Sequence, residues 1–216
     1  MPIICSALLF DLDGVLVDSR DCIEFVWRTW AETRKLDADR FISVVHGRRA
    51  SETLRELAPE LDTAAEVATL EAMEAVETRG IRPIPGVADL LASLPPAAWA
   101  IVTSGAPAVA RLRLRIAAIL PPTILVTAAD VAEGKPSPEG YLQAARRLGV
   151  RPADCVVVED AAAGIAAGLA AGMRVIAVTA TASTGTSAQA DFRVEHVTHL
   201  QVQVASGGLR LALPGA

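Results

Sequence analysis

Apolar residues along the chain fall in short unbroken runs separated by stretches of helical period. Residues 3–10, Ile-Ile-Cys-Ser-Ala-Leu-Leu-Phe, form the first run, and similar runs recur at 99–103, 124–127, 155–158 and 175–178. Runs this short and continuous suit strands buried on both faces of a parallel sheet. Between them the spacing predicts helices over 106–116, 138–148 and 161–171. Gly149 and Gly172 close the last two, where a residue without a Cβ turns the chain out of the helix. Strands alternating with helices predict an α/β fold built on a doubly wound parallel sheet. Gly164, Gly168 and Gly172 recur every fourth residue, which suits close packing of a helix on that sheet.

One region departs from the alternation. Residues 17–82 carry no buried-strand run, only helical patterning. Within 63–79, Val67, Leu70 and Met73 share a face, Asp62 stands at the cap position, Arg79 falls in the last turn and Gly80 follows. Pro83, Pro85 and Gly86 mark the return to the sheet. The chain therefore divides into a core, residues 1–16 and 83–216, and an inserted helical domain, residues 17–82.

Composition narrows the possibilities. With 52% hydrophobic and 21% charged residues the chain is not a disordered or solvating segment, and 216 residues suffice for one core with a smaller insertion. A net charge of −5 offers no broad surface for nucleic acid or an anionic membrane. Three cysteines, Cys5, Cys22 and Cys155, have neither the number nor the spacing of a disulfide framework or a zinc site. Cys5 and Cys155 lie in apolar runs and are expected in the core. The N-terminus has no cleavable signal pattern, and residues 161–173 are too short and Gly-rich to span a bilayer. A cytoplasmic protein acting on small molecules, as a monomer or weak homodimer, is expected. Of the 20 basic residues 18 are arginines, and 41 residues are alanine, which coding bias explains. Bias leaves open why Lys35 and Lys135 persist, since arginine does not always replace lysine.

Ligands of open α/β sheets bind at the carboxyl ends of the strands. The first strand ends in Asp11-Leu12-Asp13-Gly14 and the second in Thr103-Ser104-Gly105. The third reaches Gly134-Lys135-Pro136 after a short loop, and the fourth ends in Glu159-Asp160. Carboxylates collected in one pocket repel unless cations compensate. Mg²⁺ takes oxygen ligands of this kind, and Lys135 adds a compact positive charge. Such a site can cradle a phosphate beside a carboxylate nucleophile, splitting a hard displacement into two easier ones. A second aspartate two residues on can protonate the leaving alcohol and then activate water.

The segment Phe10-Asp11-Leu12-Asp13-Gly14-Val15-Leu16-Val17-Asp18-Ser19 resembles the first motif of the haloacid dehalogenase superfamily phosphatases. Thr103, Lys135 in Gly-Lys-Pro-Ser-Pro, and Glu159-Asp160-Ala-Ala-Ala-Gly resemble its other motifs, in order, over nearly the whole chain. The resemblance implies a Rossmann-like core with a small helical cap hinged near Val17 and residues 81–84. It implies Asp11 as nucleophile and Asp13 as general acid and base. It further implies Thr103, with Gly14, Ser104 and Gly105, as phosphate binders and Lys135 as the neutralising cation. Asp11, Asp13 through its carbonyl, Glu159 and Asp160 are the implied Mg²⁺ ligands.

His46-Gly47-Arg48-Arg49 in the cap suggests an anion or hydroxyl clamp formed by His46, Arg48 and Arg49. The closest resemblance is to sugar, hexitol and glycerol phosphatases, with β-phosphoglucomutase and phosphoglycolate phosphatase as alternatives. A haloacid dehalogenase proper lacks the aspartate that Asp13 supplies. A phosphoacceptor signalling domain is about half this length and has no cap. Asp18 and Ser19 are expected to cap the first cap helix, and His196 and His199 receive no role.

Overall fold

The computed structural model describes residues 2–61, 63–181, 189–205 and 207–213. Its core is a six-stranded parallel sheet of β2 (Ala7–Phe10), β5 (Trp99–Val102), β6 (Leu125–Val126), β7 (Cys155–Glu159), β8 (Arg174–Val178) and β9 (Phe192–Val194), in the order β6-β5-β2-β7-β8-β9. Alternation along the strands gives the sheet two apolar faces. Leu8 and Phe10 pack with Leu91 of α5 (Val87–Ala92) and Ala110 and Leu114 of α6 (Pro107–Ile116). Ala7 and Leu9 face the opposite way, toward Tyr141 and Ala144 of α7 (Glu139–Leu148) and Ile165 of α8 (Ala162–Ala170). A side chain at Gly168 would sit 2.8 Å from Val175 Cγ2, so this glycine lets α8 lie directly on the sheet.

The first apolar run is two strands rather than one. Ser6 donates its N–H to the Asp154 carbonyl at 2.7 Å and breaks the run. β1 (Ile3–Cys5) then joins β10 (Gln201–Ala205) and β11 (Gly208–Ala212) in a separate antiparallel sheet. This sheet is half-exposed: Ile3 and Cys5 are buried while Ile4 faces out. His196 and His199 lie in the turn before β10, ring against ring, away from the site described below.

Between β2 and β5 the chain leaves the sheet through β3 (Val17–Asp18) and returns through β4 (Arg82–Pro83), which pair antiparallel. Four helices lie between these two crossings: α1 (Arg20–Thr33), α2 (Ala38–Ile42), α3 (Ala50–Leu57) and α4 (Thr63–Glu74). They enclose an apolar cluster of their own, centred on Trp27, Trp30, Phe41, Leu54 and Leu70. α4 ends at Glu74, earlier than its periodicity predicts, and beyond it the Glu77 carboxylate accepts the N–H groups of Thr78 and Arg79. Asp62, expected as its cap, lies outside the described residues. No helix is long and apolar enough to cross a membrane among the described residues.

Candidate active site

The strand order reverses at β2: the chain moves outward through β5 and β6, then crosses back to β7 on the other side. Such a reversal opens a crevice at the carboxyl ends of the strands. Asp11 follows β2 directly and is tied to β7 by its N–H on the Val158 carbonyl, at 3.0 Å. Thr103 follows β5 and donates its N–H to Val126 at 2.9 Å. Glu159 closes β7 and Asp160 follows it. The apolar strands thus place these polar groups at one edge, and all four are buried.

Lys135 reaches this edge from the loop before α7. Its Nζ lies 2.7 Å from Asp11 Oδ1, 2.6 Å from Glu159 Oε1 and 3.1 Å from the Val102 carbonyl. Three acceptors therefore meet the three N–H donors of one ammonium. Burial opposes the charge on Lys135, but the Asp11 and Glu159 carboxylates outweigh it and hold the group above its ordinary value. Glu159 is equally saturated. Its Oε1 accepts from Lys135 and from the Tyr141 hydroxyl at 2.9 Å, and its Oε2 accepts the N–H groups of Asp160 and Ala161 at 2.9 and 3.0 Å. Gly164 makes room for it, since a Cβ there would fall 1.6 Å from Oε1.

Asp11, Glu159 and Asp160 each bring one oxygen within 4.8 Å of the others, which is the spacing of a divalent-cation site. Lys135 balances one of the three charges. Burial, followed by the Glu159 charge, pushes the Asp11 carboxyl well above its usual range, and the same causes push Asp160 up to about 7. A further cation fits this donor set. Gly14 clears the space beside Asp160: its φ is +83°, and a Cβ there would lie 2.0 Å from Asp160 Oδ2. Gly14, expected as a phosphate binder, thus touches the acidic cluster, and its carbonyl accepts the Thr181 hydroxyl at 2.8 Å.

Asp13 turns away from that cluster. Its Oδ1 accepts Arg113 Nε at 3.0 Å and the Ser19 hydroxyl at 2.5 Å. Ser19 occupies the cap position of α1, but its side chain makes no cap hydrogen bond and serves Asp13 instead. A charged acceptor binds a hydroxyl more strongly than a neutral one does. Arg113 is fully buried in α6, with Nη1 3.4 Å from Cys22 Sγ. Sequence reading missed it among 18 arginines. The signal was its place in the helix stripe Val109, Ala110, Arg113, Leu114, Ala117, where every other residue is apolar. Tyr141, the one tyrosine, was missed in the same way on the buried face of α7.

The remaining predicted residues take varied positions. Gly105 donates its N–H to Thr103 Oγ1 at 3.1 Å, while Ser104 gives its hydroxyl to the cap at the Gly47 carbonyl, 2.9 Å away. His46 lies against Arg20 and Glu24, where burial and then the Arg20 charge lower its pKa. Arg48 and Arg49 line the cavity between cap and core, yet each has protein acceptors. Arg48 binds Glu56 at 2.6 Å, and Arg49 donates to the carbonyls of Val131 and Ala132 at 3.3 and 3.0 Å. Glu52 accepts the Gly134 N–H at 2.6 Å, so α3 is latched to the loop that carries Lys135. Cys5, Cys22 and Cys155 are free and buried.

The haloacid dehalogenase-like hydrolase family model matches residues 5–172, a stretch that contains all of these groups except Thr181. The chain belongs to the haloacid dehalogenase-like hydrolases. This hydrolase is 48% identical over 185 residues to Hexitol phosphatase A of Escherichia coli (strain K12), covering 83% of this chain and 86% of that protein. It is 36% identical over 189 residues to Glycerol-1-phosphate phosphohydrolase 2 of Saccharomyces cerevisiae, covering 82% and 75%. Among solved structures, a hydrolase from Pseudomonas syringae superposes with a TM-score of 0.78 at 27% identity, covering 89% of this chain and 94% of that one.

Proposed function

We propose that this hydrolase is a Mg²⁺-dependent phosphatase of small phosphorylated polyols or sugars, working through a phosphorylated Asp11. The observation that carries the reading is the Lys135 bridge between Asp11 and Glu159 beside a buried acidic cluster. A carboxylate held against an ammonium, with a cation site on its other side, suits attack on an anionic phosphate. The names of the two relatives, a hexitol phosphatase and a glycerol-1-phosphate phosphohydrolase, support the substrate class.

In the proposed cycle Asp11 attacks phosphorus in line, and the bond from phosphorus to the substrate oxygen breaks. Asp13 swings from Arg113 and Ser19, takes up a proton from solvent as it leaves the Arg113 cation, and gives that proton to the leaving alcohol. It then takes a proton from the water that attacks the aspartyl-phosphate, which frees phosphate and restores Asp11. The Gly105 N–H occupies the acceptor side of Thr103 Oγ1, so the Thr103 proton is free to meet a phosphoryl oxygen. Lys135 neutralises charge at the nucleophile. Asp11 and Asp160, with the Asp13 carbonyl, would hold Mg²⁺, which stabilises charge on the transferring phosphoryl group. We assign Glu159, whose acceptors are all in use, to holding Lys135. Residues 17–82 act as the cap, and the Ser104–Gly47 and Glu52–Gly134 contacts hold it shut over the cavity, excluding water.

A phosphate-release screen over polyol, sugar and glycolate phosphates, with Mg²⁺ and with chelator, tests this reading. It predicts Mg²⁺-dependent release from polyol or sugar phosphates. Transfer between positions of a phosphosugar outrunning release would show a mutase and overturn it.

A further inference from the structure

Beyond the nucleophile, the cavity rises between α6 of the core and the cap helices α1 and α4. Asp11, Asp13 and Thr103 lie at one end, and Trp27, Glu71 and Glu74 line the cap side. Val67, Glu71 and Glu74 of α4 stand four and then three residues apart, so they share one helix face. Leu70 and Met73 on the adjoining face pack into the cap's own apolar cluster. The accessible space is about 140 Å³. One water needs roughly 15 Å³, so the cavity has room for a short polyhydroxylated chain.

The charges around this cavity are not equally engaged. Arg48 pairs with Glu56 through Nη2 while its buried Nε has no partner among the described residues, Arg49 donates to the Val131 and Ala132 carbonyls, and Arg113 donates to Asp13. Among the described residues neither Glu71 nor Glu74 makes a hydrogen bond or ion pair through its side chain. Burial pushes the Glu74 carboxyl up to about 7, against the pull of Arg113. The free groups of the far wall are therefore hydrogen-bond acceptors, set beside the apolar faces of Trp27 and Val67.

We propose that Glu71 and Glu74 form the subsite for the leaving group, accepting hydroxyls of an uncharged polyhydroxylated chain and rejecting a second anionic group. A carboxylate can accept two neighbouring hydroxyls at once, while Trp27 and Val67 take the C–H side of the chain. A second phosphate or a carboxylate on the substrate would face the like charge of these two side chains. This inference rests on the phosphatase reading and goes further by selecting among substrates. It favours a monophosphorylated polyol over phosphoglycolate and over the bisphosphate that a phosphosugar mutase must hold.

The test measures kcat/KM on a hexitol monophosphate, phosphoglycolate, a hexitol bisphosphate and nitrophenyl phosphate, for wild type, Glu71→Gln and Glu74→Gln. Wild type should prefer the hexitol monophosphate over both doubly anionic compounds. Each variant should lower the ratio of hexitol monophosphate to nitrophenyl phosphate by about tenfold or more, the worth of hydrogen bonds to a charged acceptor. The ratio of phosphoglycolate to hexitol monophosphate should rise. Glu74→Asp, which keeps the charge, should keep the discrimination against the bisphosphate. Substrate ratios unchanged in both Gln variants would overturn the subsite, as would a wild type that prefers a doubly anionic substrate. Wild type inert toward all four phosphates would instead overturn the phosphatase reading beneath it, and the subsite with it.

Discussion

Lys135 Nζ and Glu159 Oε1 meet at 2.6 Å, both buried, directly behind the Asp11 carboxylate. Glu159 accepts four hydrogen bonds and donates none. Glu159→Gln has no harmless orientation, because its amide N–H₂ must face either Lys135 and Tyr141 or the N–H groups of Asp160 and Ala161. Breaking a buried pair in this way costs about 3–5 kcal/mol. We expect a clear drop in melting temperature and loss of turnover. A variant that melts like wild type would show that Glu159 is dispensable to the site.

Lys135→Arg keeps the charge but not the shape. Three acceptors converge on one nitrogen, and a planar guanidinium cannot place three N–H groups there from one point. Turnover should fall by about a hundredfold or more, in line with loss of a preorganised charge contact. Steady-state kinetics with an aryl phosphate reads this, and near-full activity would remove the special case for lysine.

Arg113→Met removes the buried cation that holds Asp13 and faces Glu74. The lost charge-assisted hydrogen bond is worth about 1–3 kcal/mol, reduced by the partial exposure of Asp13. Thermal melting should show a modest loss, and kcat should fall because Asp13 loses its fixed starting position. An unchanged kcat would confine Arg113 to a packing role.

Asp160 has its carboxyl raised to about 7 by burial and by Glu159. A raised acid binds more protons folded than unfolded between about 3.8 and 7, so this group's contribution to stability falls as pH rises through that window. Asp11, also raised, has the same sign. In the proposed site Mg²⁺ would need both carboxylates ionised and would have to displace those protons at lower pH. The gain in melting temperature on adding Mg²⁺ should therefore be larger at about pH 8 than at about pH 5.5. An equal gain at both would place the cation elsewhere.

Much of this molecule is legible in its sequence because burial on both faces forces continuous apolar runs, and the polar residues ending them stand out. Asp11, Thr103, Glu159 and Asp160 are found in this way, and Lys135 by its rarity among 20 basic residues and its place in Gly-Lys-Pro. The β1 break at Ser6 is hidden because one polar residue in an apolar run looks like a tolerated exception. β10 and β11 are hidden because one face of their sheet is exposed, so β11 buries only alternate residues and β10 buries none. Arg113, Tyr141, Glu71 and Glu74 escape for another reason. Their meaning depends on which helix face meets the cavity, and periodicity assigns them to a face without saying what lies opposite.

The central claim is that Asp11 takes the phosphoryl group. Phosphate release by Asp11→Asn, with Mg²⁺ and an aryl phosphate, tests it most directly, because the amide keeps the size of the side chain and removes the nucleophile. The account predicts turnover reduced by about 10⁴-fold or more, with the variant still folded by thermal melting. Turnover within about tenfold of wild type would contradict it.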